Sequence, residues 1–183
     1  MTRLWRLILA LALTIPVGLP VQVAAQEQTL GILTLNQERF FNQSAFGLRV
    51  LKEIDARSQA LTDENHRIEE ELKAEEIALT EQRKTLEPAA FRELADDFDT
   101  KVEEIRAEQA RKTNDLNHWA EAEQQRFIDT AYPELLKLAN ELGALVILDQ
   151  RTTIITSGRI DVTDRAIERA NAVIGDGTEP PKE

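Results

Sequence analysis

The chain has 183 residues, with 22 basic and 33 acidic side chains, two histidines and no cysteine, for a net charge of −11. The acidic excess disfavours nucleic acid as a partner, and the absence of cysteine excludes disulfides, thiol chemistry and iron–sulfur clusters. Charged residues make up 30% of the chain and aromatic residues 5%, a balance typical of long solvated helices and unsuited to a large conventional core.

Residues 1–25 have the features of a secretory signal peptide. Arg3 and Arg6 form a positive start, and Leu7–Ile15 is an apolar segment too short to cross a membrane, which needs about 20 helical residues. Small residues follow, so we expect cleavage after about Ala25. The mature protein would then be exported, with 158 residues and a net charge of −13.

The longest feature of the mature chain is a helical segment. Residues 48–142 contain no glycine and are rich in strong helix formers, which predicts helix over most of this range. Before Pro88 the apolar residues follow two phases of an interrupted heptad repeat, typical of a coiled-coil seam. After Pro88 they recur every eleven residues, the period of a nearly straight helix. The heptad residues are Leu51, Leu72, Leu79 and Leu86 in one phase and Ile54, Leu61 and Ile68 in the other, and the eleven-residue series is Leu94, Ile105, Leu116, Phe127 and Leu138.

Capping residues divide this segment into two helices. Ser44 is the best N-cap for the first helix, and Gly143 is placed to end the second. A short break at Pro88 between two amphipathic helices predicts an antiparallel hairpin. The hairpin over 44–142 would form an arm about 60 Å long.

Two prolines give the arm its predicted tip and hinge. Pro88 suits a first helical turn and keeps Glu87 out of the helix, so the tip is expected near 85–90. Pro133 lies inside the second helix, where it removes a backbone hydrogen bond. We therefore expect a bend there and a hinge near the base of the arm.

The remaining residues predict a small β-rich body that the arm splits into 26–43 and 143–174. Thr163 is expected to cap a short amphipathic helix, and residues 175–183 to form a disordered tail. The predicted fold class is α+β and mainly α, a long helical hairpin on a small β-rich oligomerisation body. The predicted strands are Thr29–Leu35, Ala144–Leu148 and Thr152–Thr156.

The body is too small to be stable alone. Outside residues 48–142 the mature chain has 63 residues, and single cores below about 70–80 residues seldom supply more than about 3–5 kcal/mol. Neither a disulfide nor a metal is available, so we expect an obligate oligomer, whose number of chains the residues alone leave open. The candidate oligomerisation residues are Leu30, Ile32, Leu33, Leu35, Leu145, Val146, Ile147, Leu148, Ile154 and Ile155.

No motif for catalysis or cofactor binding emerges. His66 and His118 each lie in a predicted helix without a histidine or cysteine partner at ligand spacing, which favours solvated positions over a metal site. The sequence contains no P-loop, no dinucleotide-binding glycine motif and no nucleophile elbow. We predict no enzyme activity, no cofactor and no metal.

Two motifs, Gly143–Asp149 (GALVILD) and Ile160–Ile167 (IDVTDRAI), follow the signal peptide, strand and serine-capped hairpin. In this order the features resemble the Skp/OmpH family of periplasmic chaperones, from about Leu30 to about Ile174. The resemblance implies a periplasmic, jellyfish-like homotrimer whose three arms surround a cavity. It also implies an ATP-independent holdase that prevents unfolded outer-membrane β-barrel proteins from aggregating.

Four aromatic residues of the arm, Phe91, Phe98, Trp119 and Phe127, are candidate client contacts. They either pack between the two helices or face the cavity, and both interpretations stay open. The best-known members of the family are basic, whereas residues 47–139 here carry 14 basic and 23 acidic side chains. We therefore expect at most weak membrane association and transfer no lipopolysaccharide site.

The runner-up function is a structural or adaptor coiled-coil protein of the cell envelope. In that case the arm is a spacer or docking surface for a folded partner. It predicts no affinity for unfolded chains, which separates it from the holdase.

Overall fold

The computed structural model describes residues 31–179, so the predicted signal peptide, Leu30 and residues 180–183 lie outside the described part. The prediction of a mainly α-helical hairpin on a small β-containing body is confirmed. Among the described helices, none is long and apolar enough to cross a membrane. The elements are β1 (Ile32–Leu35), α1 (Gln37–Asn42), α2 (Ala45–Gln82), α3 (Pro88–Glu141), β2 (Val146–Asp149) and α4 (Thr163–Val173), with 3-10 turns at Gln150–Thr152 and Gly158–Ile160.

Helices α2 and α3, of 38 and 54 residues, form the arm. The predicted cap is confirmed, because Ser44 Oγ accepts a hydrogen bond from the backbone N–H of Gly47 at 3.0 Å. Pro88 begins α3, and a turn over 83–87 joins the two helices. Gly143 follows α3 with φ of 65°, the left-handed conformation that glycine adopts without a Cβ clash.

The seam between α2 and α3 becomes more buried toward the body. Along the eleven-residue series, Leu94 is 39% exposed, Ile105 and Leu116 are half-buried, and Phe127 and Leu138 are buried. Ion pairs supplement the seam. The pair nearest the body is largely enclosed, and the more exposed pairs farther out contribute about 0–1 kcal/mol each. The outer arm is therefore its least stable part. The cross-helix pairs are Arg49–Glu123 at 2.5 Å, Glu64–Lys112 at 2.7 Å and Glu75–Lys101.

An aromatic cluster joins the arm to the body. The ring of Phe127 in α3 lies with its centre 4.9, 5.3 and 5.4 Å from the rings of Phe40, Phe41 and Phe46, at tilted or edge-to-face angles. Aromatic pairs favour such geometries. The other buried apolar residues of the core are Leu33, Leu35, Val50, Ala131, Leu138, Val162, Ala166, Ala170 and Ile174.

The described sheet has two strands, and one predicted strand is wrong. Strands β1 and β2 pair in parallel, from Ile32 with Val146 to Leu35 with Asp149. Residues 152–156 begin in a 3-10 turn and continue without strand structure. The other side of β1 is occupied there, because Thr34 bridges to Asp161 and accepts a hydrogen bond from the N–H of Val162 at 2.9 Å. A strand at 152–156 is therefore excluded from that side of β1, and these residues also leave the outer side of β2 unpaired in the described sheet.

The start of α4 differs from its prediction. Thr163 is the first residue of the helix and does not cap it through its side chain. The Asp161 carboxylate, a stronger acceptor, takes the N–H of Thr163 at 2.9 Å. This leaves Thr163 Oγ1 free to accept the N–H of Asn36 at 2.9 Å, so the hydroxyl connects α4 to the start of α1.

The predicted disordered tail is wrong for residues 175–178. These residues fold back onto the base of the arm, where Arg49 and Arg126 donate hydrogen bonds to their carbonyl groups. Composition alone suggested disorder, because the segment is short, polar and rich in glycine. The contacts that order it come from residues some 50 and 127 positions earlier in the chain.

A buried carboxylate links α4 to the end of α3. Glu134 is 7% exposed, and accepts hydrogen bonds from Lys137 Nζ at 2.7 Å and from Arg169 Nε at 2.9 Å. The bond from Lys137 has the largest effect on the pKa of Glu134 and the bond from Arg169 the next largest. Both hold this pKa below its usual value because they stabilise the charged form. Arg169 also donates to Glu141 at 2.7 Å, so one arginine of α4 is paired with two turns of α3.

We predict that Phe127→Ala lowers the free energy of unfolding by about 3–5 kcal/mol, because it leaves a cavity among three phenylalanine rings. Phe98→Ala, the same change at a half-buried position of the same helix, should cost much less. Urea unfolding followed by circular dichroism at one protein concentration measures both values. Equal losses for the two variants would contradict the central role of Phe127.

We predict that Glu134→Gln lowers the free energy of unfolding by about 1.5–3 kcal/mol near neutral pH, the range for hydrogen bonds to charged groups. Because the pKa of Glu134 is lowered by folding, its contribution is complete above the ordinary glutamate pKa and is lost as the pH falls through the lowered value. Urea unfolding from about pH 7 to about pH 3 should therefore show a shrinking difference from the unsubstituted protein.

The matched control is Glu70→Gln, which removes the same charge from an exposed position of α2. It should leave the unfolding free energy almost unchanged at every pH. A Glu134→Gln difference that stays constant across the pH range would contradict the assigned pKa effect.

Candidate functional site

The four aromatic residues predicted as client contacts occupy different environments. Phe127 is buried in the core, with 2% of its surface exposed, so the prediction of a client contact is wrong for this residue. The eleven-residue series extends from the arm to the body, and Phe127 lies at its body end. Trp119 is half-buried, with the guanidinium of Arg57 3.9 Å from its ring centre. Phe91 and Phe98 are half-buried in the outer arm and remain candidates.

A shallow groove of about 500 Å³ runs along the outer arm beside Phe98. Leu72 of α2 and Val102 of α3 line it together with the Phe98 ring. Charged side chains surround this apolar strip, and most of them are acidic. They are Glu69, Glu76, Asp99 and Glu103, with Lys73 and Arg106.

The arm also exposes aliphatic side chains that were not predicted as contacts. Ile77 is 58% exposed on α2, and Leu94 and Leu86 are 39% and 37% exposed toward the tip. Ile77 falls outside both heptad phases, and this departure from the repeat is the signal by which the sequence identifies it. Leu86 and Leu94 belong to the predicted seam, but Leu86 lies in the turn and Leu94 in the first turns of α3, where the seam ends. Together with Phe91 and Phe98, these three residues form the apolar set of the outer arm.

The outer arm is strongly acidic around that apolar set. Residues 69–106 carry 13 acidic and six basic side chains. The basic residues near the tip are partly engaged, with Arg83 placed 5.6 Å from the ring centre of Phe91 and Lys84 paired with Glu81 at 2.7 Å. The surface therefore combines scattered apolar contacts with a negative potential.

The body carries a second apolar surface, a cleft of about 440 Å³ between α1, α3 and β2. At its mouth Tyr132 and Leu136 are each 63% exposed, and Leu145 is 92% exposed. Beyond it, Ile154 and Ile155 are almost fully exposed. A small body that leaves such side chains in water is incompletely closed by its own residues.

The described residues predicted for oligomerisation divide into three groups, buried, half-buried and exposed. Leu33 and Leu35 are buried in the hydrophobic core of the same chain, so their assignment to an oligomer surface is wrong. Ile147 is half-buried against the same core. Those with exposed side chains are Ile32, Leu145, Val146, Leu148, Ile154 and Ile155.

The surroundings of Pro133 argue against a hinge at this residue. Helix α3 continues through it. Phe127 and Ala131 are buried in the core on one side, and Glu134 and Leu138 are buried on the other. Bending at Pro133 would break core contacts in both directions, so the arm moves more easily beyond Phe127, where the seam is less buried.

The comparisons with known proteins agree with this architecture. No curated protein matches the sequence at a significant level. The crystal structure of an OmpH-like protein from Caulobacter crescentus CB15, proposed to be an outer membrane chaperone, is similar with a TM-score of 0.75 and 16% identity, over 84% of this chain and 90% of that chain. At this identity the likeness shows the fold alone.

The family comparison covers most of the chain. The family model described as outer membrane protein (OmpH-like) matches residues 31–169, which include the body strands, the whole arm and most of α4. The chain therefore belongs to the OmpH-like family.

Proposed function

We propose that the protein is a periplasmic, ATP-independent holdase that binds unfolded outer-membrane β-barrel proteins between helical arms and prevents their aggregation. The observation that carries the proposal is the apolar set of the outer arm, exposed on a helical pair too thin to bury it. Membership of the OmpH-like family and the fold shared with the Caulobacter crescentus protein support it. The predicted signal peptide supports the periplasmic location.

Weak, scattered contacts suit retention without a chemical energy source. Burial of apolar surface contributes about 25 cal/mol per Å², so each partly exposed side chain supplies on the order of 1 kcal/mol to client binding. Several such contacts together hold a flexible chain by multivalency, while each single contact exchanges quickly. The client therefore leaves by exchange when a stronger binding partner competes for it.

The acidic outer arm influences both solubility and client choice. Its negative potential keeps the apolar set hydrated and repels other acidic surfaces, including anionic membranes. Membrane association is therefore weak at most. Unfolded segments with basic residues beside apolar ones would be favoured over acidic segments.

We further propose that the body assembles as a homotrimer, the number that the family resemblance implies. The support is the exposure of Leu145, Ile154 and Ile155 together with the open edge of β2 in the described sheet. Association would bury these side chains and complete the small core. Three arms on one side of the assembly would enclose the client cavity.

We predict that the mature protein, residues 26–183, suppresses light scattering when a urea-unfolded outer-membrane porin is diluted into buffer. Suppression should saturate near one trimer per client. Ile77→Ser combined with Phe98→Ala should raise the amount of protein required, because it removes two apolar contacts of the outer arm.

The control for that experiment is Thr80→Ser, an exposed change on the same helix that removes no large apolar group. It should behave like the unsubstituted protein. No suppression by a folded, helical oligomer at excess would refute the holdase and favour an adaptor with a folded partner.

We predict that Ile154→Asp combined with Ile155→Asp disrupts the oligomer, because burial of two new carboxylates at an interface opposes association. Light scattering coupled to size-exclusion chromatography should show a loss of the trimeric mass. Ala78→Asp, which adds a charge to an exposed position of α2, should leave the mass unchanged. An unchanged trimer in the double variant would exclude residues 154 and 155 from the interface.

A further inference from the structure

The chain after α4 crosses the base of the arm as a short strap, Gly175–Thr178. Gly175 and Gly177 have φ of 64° and 75°, which turns the chain back from the end of α4. Within the strap, Thr178 donates its N–H and hydroxyl to Asp176 Oδ1 at 3.0 and 2.6 Å. The family match ends at residue 169, so the strap lies outside the part of the chain that the family describes.

The strap is bonded to both helices of the arm. Arg49 of α2 donates its Nε to the carbonyl of Asp176 at 2.6 Å, and Arg126 of α3 donates Nη2 to the carbonyl of Gly177 at 2.8 Å. Glu123 Oε2 accepts from the same two arginines, at 2.5 and 3.1 Å. The two arginines thus cross-link α2, α3 and the strap at one level of the arm.

The strap also covers the ring of Phe46. A Cβ added to Gly177 would lie 2.1 Å from Phe46 Cε2, so only glycine fits against the ring. The guanidinium carbons of Arg49 and Arg126 lie 4.9 and 5.0 Å from the ring centre, and the ring packs against Phe127. Phe46 is 1% exposed, and the strap supplies one side of its enclosure.

We propose that the strap fixes the direction in which the arm leaves the body. It connects α4, which packs on the body, to α2 and α3 at the point where the arm begins, and so resists rotation of the arm about the aromatic cluster. For an arm about 60 Å long, a rotation of about 10° at the base moves the tip by about 10 Å. The strap therefore sets the width of the client cavity, a consequence that rests on the proposed holdase function.

Two glycines of the strap provide a matched pair of variants. Gly177→Ala places a methyl group into the Phe46 ring, whereas Gly175→Ala has the same left-handed backbone cost but meets no atom within 4 Å. A third variant ends the chain at Gly175 and so removes the rest of the strap, with the two carbonyl groups that accept from Arg49 and Arg126, without any clash. Circular dichroism identifies variants that have lost their helices.

The measurement is the distance distribution between the arm and the body, recorded by pulsed electron paramagnetic resonance. The chain has no cysteine, so Ala74→Cys on the arm and Glu168→Cys on α4, both exposed, accept one spin label each. The labelled mature chain is diluted into an excess of unlabelled chain, so that distances within one chain dominate. No client is present.

We expect the distribution to broaden and shift in Gly177→Ala and in the shortened chain, and to stay unchanged in Gly175→Ala. An unchanged distribution in the shortened chain would overturn the proposal. So would loss of its helices, since the strap would then be a requirement for folding. If the distribution broadens but the porin assay fails, the strap stands and the holdase function falls; the opposite result rejects the strap alone.

Discussion

Four phenylalanine rings, Phe40, Phe41, Phe46 and Phe127, meet where the arm joins the body, and the rest of the structure depends on this contact. Three helices contribute to it, so it determines both how α2 and α3 begin to run side by side and how the body attaches to them. Burial decreases from there toward the tip. Two helices alone cannot bury all of their apolar side chains, so some of these side chains in the outer arm stay exposed and available for contact.

The charged side chains also differ between the body end and the outer end of the arm. Near the body, ionic groups such as Glu134 and Glu123 are well enclosed and paired with arginines that reach between elements. In the outer arm they are mostly solvated carboxylates. Charged groups therefore hold elements together at one end, and keep an apolar surface dispersed in water at the other.

The arm was predictable because its helix ends depend on local sequence. The predictions that were wrong concern residues whose structure depends on contacts with distant parts of the chain. Ser44, Pro88 and Gly143 mark helix ends through their own backbone preferences, so the sequence was sufficient for them. Periodicity placed Phe127 on the seam but not in the core, because its burial also needs the rings of Phe40 and Phe41 in α1. The strand expected at 152–156 was wrong, since Asp161 takes the other side of β1 and residues 152–156 do not pair with the open side of β2. Of the predicted client contacts, Phe91 and Phe98 in the outer arm remain candidates.

The parallel pairing of β1 with β2 has a consequence for the order in which the chain folds. The two strands are separated by 110 residues, nearly all of them in the arm. Closing so long a loop is entropically costly and slow unless its interior is already ordered. The hairpin pairs residues that are nearer in the sequence, and its formation brings Ile32 and Val146 within pairing distance. Strand β1 is thus expected to pair late, after the arm has formed and placed β2 beside it.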